Sequence, residues 1–308
     1  MVNENKPPVV LITGAAGFVG GHAVVEFAAG GFQTAPVARR PDLPGTHACD
    51  LTDPAAVREL VRSVRPDCVL HLAGRNHAGD SWQDPVGYLE SNVMATVYLL
   101  EALRREDCRA RVLVAGSMLS VPLGGKPRPP HPYSLSKSLQ ALAAQSWQHL
   151  FGGDILIVRL ANLIGPGPSG GICTRLAAWI ADRERGGTAP FRLQSLAEPR
   201  DYLDVRDAVR AFRILLMRGK AERVYPLGSG ISRSLGEVLQ AYRELSAAAD
   251  DVEAPAIPAS VAVAPSVAVA ALAVRRLGWR PSVSFQQSLQ DTLADYRSGK
   301  GVRVWETS

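Results

Sequence analysis

Apolar residues along the chain come in short continuous runs, separated by longer stretches with helical spacing. Val9-Val10-Leu11-Ile12 is the first such run, and it ends in a glycine-rich turn. A helical stretch over 19–29 follows, and 33–38 reads as a second strand. A helix over 54–64 precedes the buried run Cys68-Val69-Leu70-His71-Leu72, and a long helix is expected over 84–105. Arg111-Val112-Leu113-Val114-Ala115, a helix over 133–149 and the run 155–160 complete the first half. Strands that are apolar throughout, alternating with helices, are the mark of a parallel sheet covered on both faces. The expected fold is therefore α/β, a Rossmann-type doubly wound parallel sheet with a smaller C-terminal substrate-binding lobe.

Beyond Asn162 the pattern loosens. Gly165-Pro166-Gly167-Pro168 and Gly170-Gly171 mark a loop, a helix is expected over 172–183, and Gly186-Gly187 and Pro190 break the chain again. The tail after Gly230 is helix-rich. This division assigns 1–161 and 201–229 to a dinucleotide-binding domain, and 162–200 and 230–308 to a substrate lobe lying over the carboxyl ends of the strands. The stretch from Pro255 to Val274 is apolar over membrane-spanning length, but Pro258 and Pro265 interrupt it. It reads as a strand over 260–264 and a helix from Pro265 that stops at Gly278, with Arg275 and Arg276 in the last turn.

Composition narrows the function classes. The 308 residues are 46% hydrophobic and 20% charged, so a large core is available and wholesale disorder is excluded. The net charge of +5 is scattered, with no basic run of the kind that grips nucleic acid. Cys49, Cys68, Cys108 and Cys173 lie far apart with no CxxC spacing, which points to reduced thiols and no zinc site. The N-terminus lacks a basic segment followed by an apolar one. The expectation is a cytoplasmic protein without membrane span, metal or nucleic-acid partner.

Gly14-Ala15-Ala16-Gly17-Phe18-Val19-Gly20 follows the first strand and opens the first helix. Glycine there permits a tight turn and lets backbone N–H groups approach a pyrophosphate. The spacing is GxxGxxG, in the strand–turn–helix context that a dinucleotide fingerprint requires. An acidic residue at the end of the second strand would hold the ribose of NAD. Arg39 and Arg40 stand there instead and suit the 2′-phosphate of NADP, the alternative being a solvated pair. NADP(H) is therefore favoured, with NAD(H) the alternative. Asp50 and Leu51, and Leu72, Ala73 and Gly74, are expected to border the adenine and the second ribose.

Tyr133 and Lys137 are four apart and share a helix face. An ammonium nearby lowers the pKa of a phenol, so Tyr133 can exchange a proton with a sugar hydroxyl or carbonyl. Lys137 can also bond the nicotinamide ribose. Ser117, at the end of the strand Ala115-Gly116-Ser117, can orient the substrate oxygen.

With these residues in view, the chain resembles the extended short-chain dehydrogenases, the NAD-dependent epimerase/dehydratase family, over nearly its whole length. The resemblance rests on residues 13–20, the Tyr133–Lys137 pair, Arg159-Leu160-Ala161-Asn162-Leu163-Ile164-Gly165-Pro166-Gly167, residues 200–207 and Leu277-Gly278-Trp279-Arg280-Pro281. Residues 81–85 and the Asn162 and Arg200 segments look most like the GDP-4-keto-6-deoxy-mannose reductases. The resemblance implies a nucleotide-diphosphate sugar as substrate, with Asn162 touching the sugar nucleotide and Arg200 its diphosphate. The alternatives are an internal salt bridge of Arg200 to Asp201 or Asp204, and a turn-capping role for Asn162. Asn76 and His77 would line the sugar pocket or lie on a loop surface. A homodimer through the helices 84–105 and 133–149 is also implied.

Departures from the family sharpen the reading. Its dehydratases carry acidic residues directly after the catalytic Ser or Thr, where this chain has Met118 and Leu119, so 4,6-dehydration is not expected. The interval from Ser117 to Tyr133 is short and rich in Pro and Gly. The family's Arg-Pro-x-Asp segment is missing from the uncharged stretch 256–270, so the second phosphate-binding arginine is either absent or supplied from elsewhere, Arg233 being one candidate. Three readings follow: a ketoreductase delivering hydride to C4 of a 4-keto-6-deoxy sugar nucleotide, a 4-epimerase retaining NAD, and a non-catalytic dinucleotide-binding sensor or scaffold.

Overall fold

The computed structural model describes residues 6–40, 45–124, 126–255 and 271–299. The strand expected over 260–264 and the start of the helix expected from Pro265 lie outside the described residues. Seven strands make up the main sheet: β1 (Val9–Thr13), β2 (Gln33–Ala38), β3 (His47–Ala48), β4 (Cys68–His71), β5 (Arg111–Ser117), β6 (Asp154–Leu160) and β9 (Val224–Leu227). Their order across the sheet is β3-β2-β1-β4-β5-β6-β9. The pairings from β3 to β6 are all parallel, so this is a Rossmann-type doubly wound sheet.

The crossover helices in the first part of the chain are α1 (Phe18–Ala29), α2 (Pro54–Val64), α3 (Pro85–Leu89), α4 (Ala95–Arg105) and α5 (Pro132–Phe151). Their ends follow local chemistry. Asp53 caps α2 by accepting from the Ala55 and Ala56 amides at 2.9 and 3.2 Å, and Pro54 fills the first helical position. His131 caps α5 through Nδ1, which accepts from Ser134 N at 2.9 Å, and Gly152 at φ +68 ends it. The helix expected as one piece over 84–105 is broken at Glu90–Met94 by a π-helical turn, and Asn92 lies inside it.

The chain folds into two compact units. One runs up to Leu160 and adds Val209–Pro226 and Arg276–Trp279; the other holds Ala161–Ala208, Leu227–Arg275 and the chain from Arg280. The core of the first packs Leu11, Val37, Val57, Val69, Leu99, Val112 and Ile157 between sheet and helices. The second unit contains a three-stranded sheet of β7 (Asn162–Ile164), β8 (Pro199–Asp204) and β10 (Ser232–Ser234), with β8 in the middle. Residues 201–208, expected with the dinucleotide-binding domain, belong here because β8 pairs parallel to β7 and antiparallel to β10. Helices α6 (Ile172–Glu184), α8 (Leu235–Leu245), α9 (Leu272–Arg275) and α10 (Phe285–Arg297) complete the second unit, and α7 (Val205–Arg218) carries the chain from the second unit back to the first. α9 gives way at Arg275 to a turn that reaches Gly278 at φ +93.

Within the second unit, Asp207 is fully buried and anchors the approach to α10. Its carboxylate accepts from Ser282 N at 3.1 and 3.0 Å, from Val283 N at 3.0 Å and from Ser282 Oγ at 3.2 Å. Truncation takes the acceptor from two backbone N–H groups and a hydroxyl that fix the chain ahead of α10. Asp207→Ala is expected to cost about 3 kcal/mol in urea unfolding, whereas Asp182→Ala, on an exposed stretch of α6, should cost well under 1 kcal/mol.

Candidate active site

The turn after β1 has no room for side chains. Gly14 sits at φ +71, and a Cβ there would lie 2.9 Å from Ala73 N; a Cβ on Gly20 would lie 2.1 Å from the Gly14 carbonyl oxygen. Gly17 is exposed, Phe18 and Val19 are half-buried, and α1 starts without a side-chain cap on its amides. An open glycine cradle at a helix N-terminus suits a dinucleotide pyrophosphate. Parallel pairing of Thr13 with Val37 brings the end of β2 beside this turn, and Arg39 and Arg40 follow it, both exposed and without an ion pair among the described residues. Asp50 is exposed in a turn closed by the Thr52 amide and hydroxyl at 2.9 and 2.8 Å, with Arg39 lowering its pKa further; Leu51 is buried. Leu72 and Ala73 are half-buried after β4, and Gly74 follows at φ +150, where a Cβ would meet Asn92 Oδ1 at 2.5 Å.

Ser117, Tyr133 and Lys137 come together in the first unit. Ser117 ends β5; its Oγ accepts from Leu119 N at 3.1 Å, and its hydroxyl acts to lower the pKa of the Tyr133 phenol. Arg159 on β6 steadies the turn beyond it, donating to the carbonyls of Ser117 at 3.3 Å, Met118 at 3.3 Å and Ser120 at 2.8 Å. The Tyr133 ring stacks on His131 at 5.8 Å and meets the edge of Tyr88 at 6.2 Å. Lys137 is 6% exposed, and its Nζ donates to Ala115 O and Gln140 Oε1, each at 2.9 Å.

The expected effect of the ammonium on the phenol is reversed in this structure. Burial pushes the Tyr133 phenol above its ordinary range, and only the Ser117 hydrogen bond pulls it back. The reason is that both groups lose water together: Lys137 is itself driven down to about 8 by burial, and two of its protons are turned towards Ala115 and Gln140. Tyr133 is thus a neutral phenol at pH 7.

Pattern reading missed the polar groups behind this site. His71 is fully enclosed. Its Nδ1 lies 2.8 Å from Thr13 Oγ1, its Nε2 lies 2.9 Å from Thr96 Oγ1, and burial followed by the Lys137 charge lowers it to about 3. Asn92, on the π turn, accepts from Arg75 N at 2.8 Å and donates to Arg75 O at 3.0 Å and to Ser136 Oγ at 2.8 Å. The readable signal was polar residues at positions facing a core, which cannot be left there without partners. The loop after β4 carries Asn76 and His77, both exposed, with His77 bonded to Asp80 at 2.8 Å.

In the second unit, Asn162 is exposed and its side-chain amide donates to Asp201 O at 3.1 Å. Arg200 is exposed and pairs at 2.7 Å with Glu198, not with Asp201 or Asp204. Asp201 instead accepts from Ser229 N, Ser229 Oγ and Gly230 N, and Asp204 pairs with Arg206. Arg200 stands directly opposite Arg233 across the β8–β10 ladder. Arg233 lies 4.4 Å over the Phe285 ring and 3.7 Å from Glu237. Tyr202, two residues along and on the same face, has a buried hydroxyl without a hydrogen-bond partner among the described residues.

The model of the NAD dependent epimerase/dehydratase family matches residues 10–228. The chain belongs to that family. As a member it is a nicotinamide-dinucleotide-dependent enzyme, and the glycine cradle fits that cofactor. Among its relatives, GDP-6-deoxy-D-mannose reductase of Pseudomonas aeruginosa is 29% identical over 94% of this chain and 97% of its own length. A dTDP-glucose 4,6-dehydratase of Xanthomonas campestris pv. campestris is 27% identical over 93% and 92%. Among solved structures, RMD from Pseudomonas aeruginosa complexed with NADPH matches with a TM-score of 0.80 at 27% identity, over 95% of this chain and 99% of that one. The UDP-glucose 4-epimerase of Thermus thermophilus, a complex with NAD, matches with a TM-score of 0.79 at 28% identity, over 94% and 99%. Among the described residues, no helix of this family member is long and apolar enough to cross a membrane.

The glycine contacts separate two neighbouring positions. Gly20→Ala is expected to weaken NADPH binding, measured by fluorescence titration, by at least about tenfold, because its methyl displaces the Gly14 carbonyl. Gly21→Ala has open space on the same helix and should leave binding unchanged while raising stability by about 0.5–1 kcal/mol.

Proposed function

We propose that this enzyme is an NADPH-dependent reductase that turns the C4 ketone of a nucleotide-linked 4-keto-6-deoxy sugar into an alcohol. The observation that carries the reading is the buried Tyr133 phenol, which desolvation keeps neutral beside Ser117. Reduction of a ketone needs a proton donor where the alkoxide develops, and a phenol held above its ordinary range is a donor at neutral pH. The bound dinucleotide supplies hydride. Ser117 orients the carbonyl oxygen, Tyr133 gives its proton to that oxygen, and Lys137 holds positive charge on the same side and bonds the nicotinamide ribose. Met118 and Leu119 carry no group able to move a proton, which speaks against water elimination.

Arg39 and Arg40, exposed beyond β2, support NADPH over NADH as the working cofactor. Arg200 facing Arg233 supports a phosphate-bearing substrate: like charges set directly opposite repel one another, and a diphosphate between them relieves the repulsion through charge-assisted bonds. Asn162 is the residue that would contact the rest of the sugar nucleotide, with Asn76 and His77 bordering the sugar. The reductase among the relatives, at 29% identity, supports the GDP-linked form. An NAD-retaining 4-epimerase is the second reading, favoured by the likeness to the Thermus thermophilus enzyme. A homodimer is supported by the exposed Leu142, Leu150 and Phe151 on α5.

Incubation of the purified protein with GDP-4-keto-6-deoxy-mannose and NADPH tests the reading. Stoichiometric NADPH oxidation is expected; C4 inversion of UDP-glucose with NAD and no net oxidation would replace it by the epimerase. Tyr133→Phe should lower kcat by about 10²–10⁴-fold with the NADPH dissociation constant little changed. Arg39→Asp should cut the NADPH-over-NADH preference in kcat/KM by at least about tenfold, and an unchanged ratio would return the arginines to a solvated pair.

A further inference from the structure

Behind Lys137 runs a chain of buried polar groups in which every proton has one permitted place. It begins at the glycine turn. Thr13 Oγ1 accepts from Leu72 N and Ala73 N, each at 3.1 Å. Those two bonds fill its lone pairs, so its own proton goes to His71 Nδ1, 2.8 Å away. At the other end, Lys137 can only donate, which fixes the Gln140 amide with Oε1 towards Nζ at 2.9 Å and Nε2 towards Thr96 Oγ1 at 2.8 Å. The Thr96 hydroxyl proton goes to the Asn92 carbonyl at 2.7 Å, since a carbonyl only accepts. Thr96 Oγ1 therefore takes the His71 Nε2 proton at 2.9 Å as its second incoming bond. His71 is the neutral Nε2–H tautomer: a histidinium would aim a proton at a Thr13 oxygen already saturated. Thr13, His71, Thr96, Lys137 and Gln140 are all buried.

We propose that Gln140 is a positioning residue for Lys137, and that the chain Gln140–Thr96–His71–Thr13 locks the lysine to the glycine turn in one protonation pattern while giving it neutral partners only. This rests on the reading of Lys137 as part of the active site. Ala115 O and Gln140 Oε1 satisfy two Nζ protons without adding negative charge, so the field of the ammonium at Tyr133 is not neutralised. The titratable groups nearest Lys137 are His71, whose pKa burial and then the Lys137 charge lower, and Tyr133 one turn earlier on α5; of the carboxylates on elements packed against α5, Glu90 on the π turn is exposed and Glu101 on α4 is paired with Arg104 and Arg105. Neither His71 nor Tyr133 is anionic at pH 7, and no carboxylate is bonded to Nζ among the described residues. A glutamate at position 140 would keep the oxygen and cancel the charge; a leucine would remove the acceptor.

Lysines at 6, 126, 137, 220 and 300 are the only ones in the chain, so ¹³Cε-lysine labelling resolves the titration of Lys137 directly, with Lys137→Arg assigning its signal. In the wild type without dinucleotide it is expected to titrate near 8. Gln140→Glu should raise that midpoint by about one unit or more, and Gln140→Leu should lower it. In the reduction assay Gln140→Leu should lose about tenfold or more in kcat with the NADPH dissociation constant within about threefold, and Gln140→Glu should move the basic limb of the pH–kcat profile upward. Thr96→Val, close in shape to the native residue, should reproduce the kcat loss in part. If Gln140→Leu does not fold, the Gln140→Glu titration decides the matter alone. A Lys137 midpoint identical in wild type and Gln140→Glu overturns the proposal. Absence of NADPH oxidation by the wild type would sink the reductase reading instead, and the lysine titration would still stand as the test of Gln140.

Discussion

An ammonium group buried without a counterion is the constraint around which the first unit is arranged. Taking a charge out of water is costly unless its protons are all received, and the usual remedy is a carboxylate. Here the remedy is a backbone carbonyl at the end of β5 and a side-chain amide one turn along α5. Neutral acceptors satisfy the hydrogen bonds but leave the charge to act on its surroundings. The residual penalty is visible in the depressed affinity of Lys137 for its proton, and its charge adds to the burial that lowers His71 to about 3. Stability carries the same signature. Between about 8 and the ordinary lysine value near 10.4, the unfolded chain holds a proton that the folded chain has released, so folding gains as pH rises through that window.

That arrangement also bears on the choice between kinds of chemistry. A phenol that must act as a base needs its pKa lowered, whereas one that must protonate an alkoxide needs to stay neutral until the alkoxide appears. Desolvation and the Ser117 hydroxyl pull Tyr133 in opposite directions, and desolvation prevails. The balance suits net reduction. It suits an epimerase less well, since that enzyme must take a proton from the sugar hydroxyl before it returns one. The two readings therefore differ in electrostatics rather than in residue content, which is why the motif alone left both open.

The parts of the molecule legible in the sequence are those written in local pattern. Apolar runs gave β1, β2, β4, β5 and β6, and the tyrosine and lysine four apart fell on α5 as helical spacing requires. The glycine turn was readable because backbone crowding at Gly14 and Gly20 leaves no other choice of residue. Three things were not readable. The small sheet β10-β8-β7 depends on short strands, two of them of three residues, that meet across long sequence separations, so no periodicity announces them. The π turn at Glu90–Met94 exists so that Asn92 can serve the backbone of Arg75, a purely tertiary demand. The partner of Arg200 was sought among nearby aspartates, yet Asp201 and Asp204 are buried on β8 and are committed to Ser229, Gly230 and Arg206.

The second unit repeats the same principle with the sign of the site reversed in purpose. Exposed Arg200 and half-buried Arg233 have acidic neighbours, Glu198 and Glu237, but these lie near the surface, where ion pairs are weak and exchangeable. Stacking on Phe285 fixes the plane of the Arg233 guanidinium without using its donors, and cross-strand register fixes its distance from Arg200. A tightly held carboxylate would have closed such a pair to any incoming anion. Weakly held partners and a rigid backbone ladder keep it available, and under the proposed function Arg233 on β10 stands in for the arginine missing from the uncharged stretch 256–270. At Lys137, Arg200 and Arg233, then, no buried carboxylate neutralises the cation among the described residues; under the proposed function the first charge serves a proton transfer and the other two meet the phosphate of a substrate.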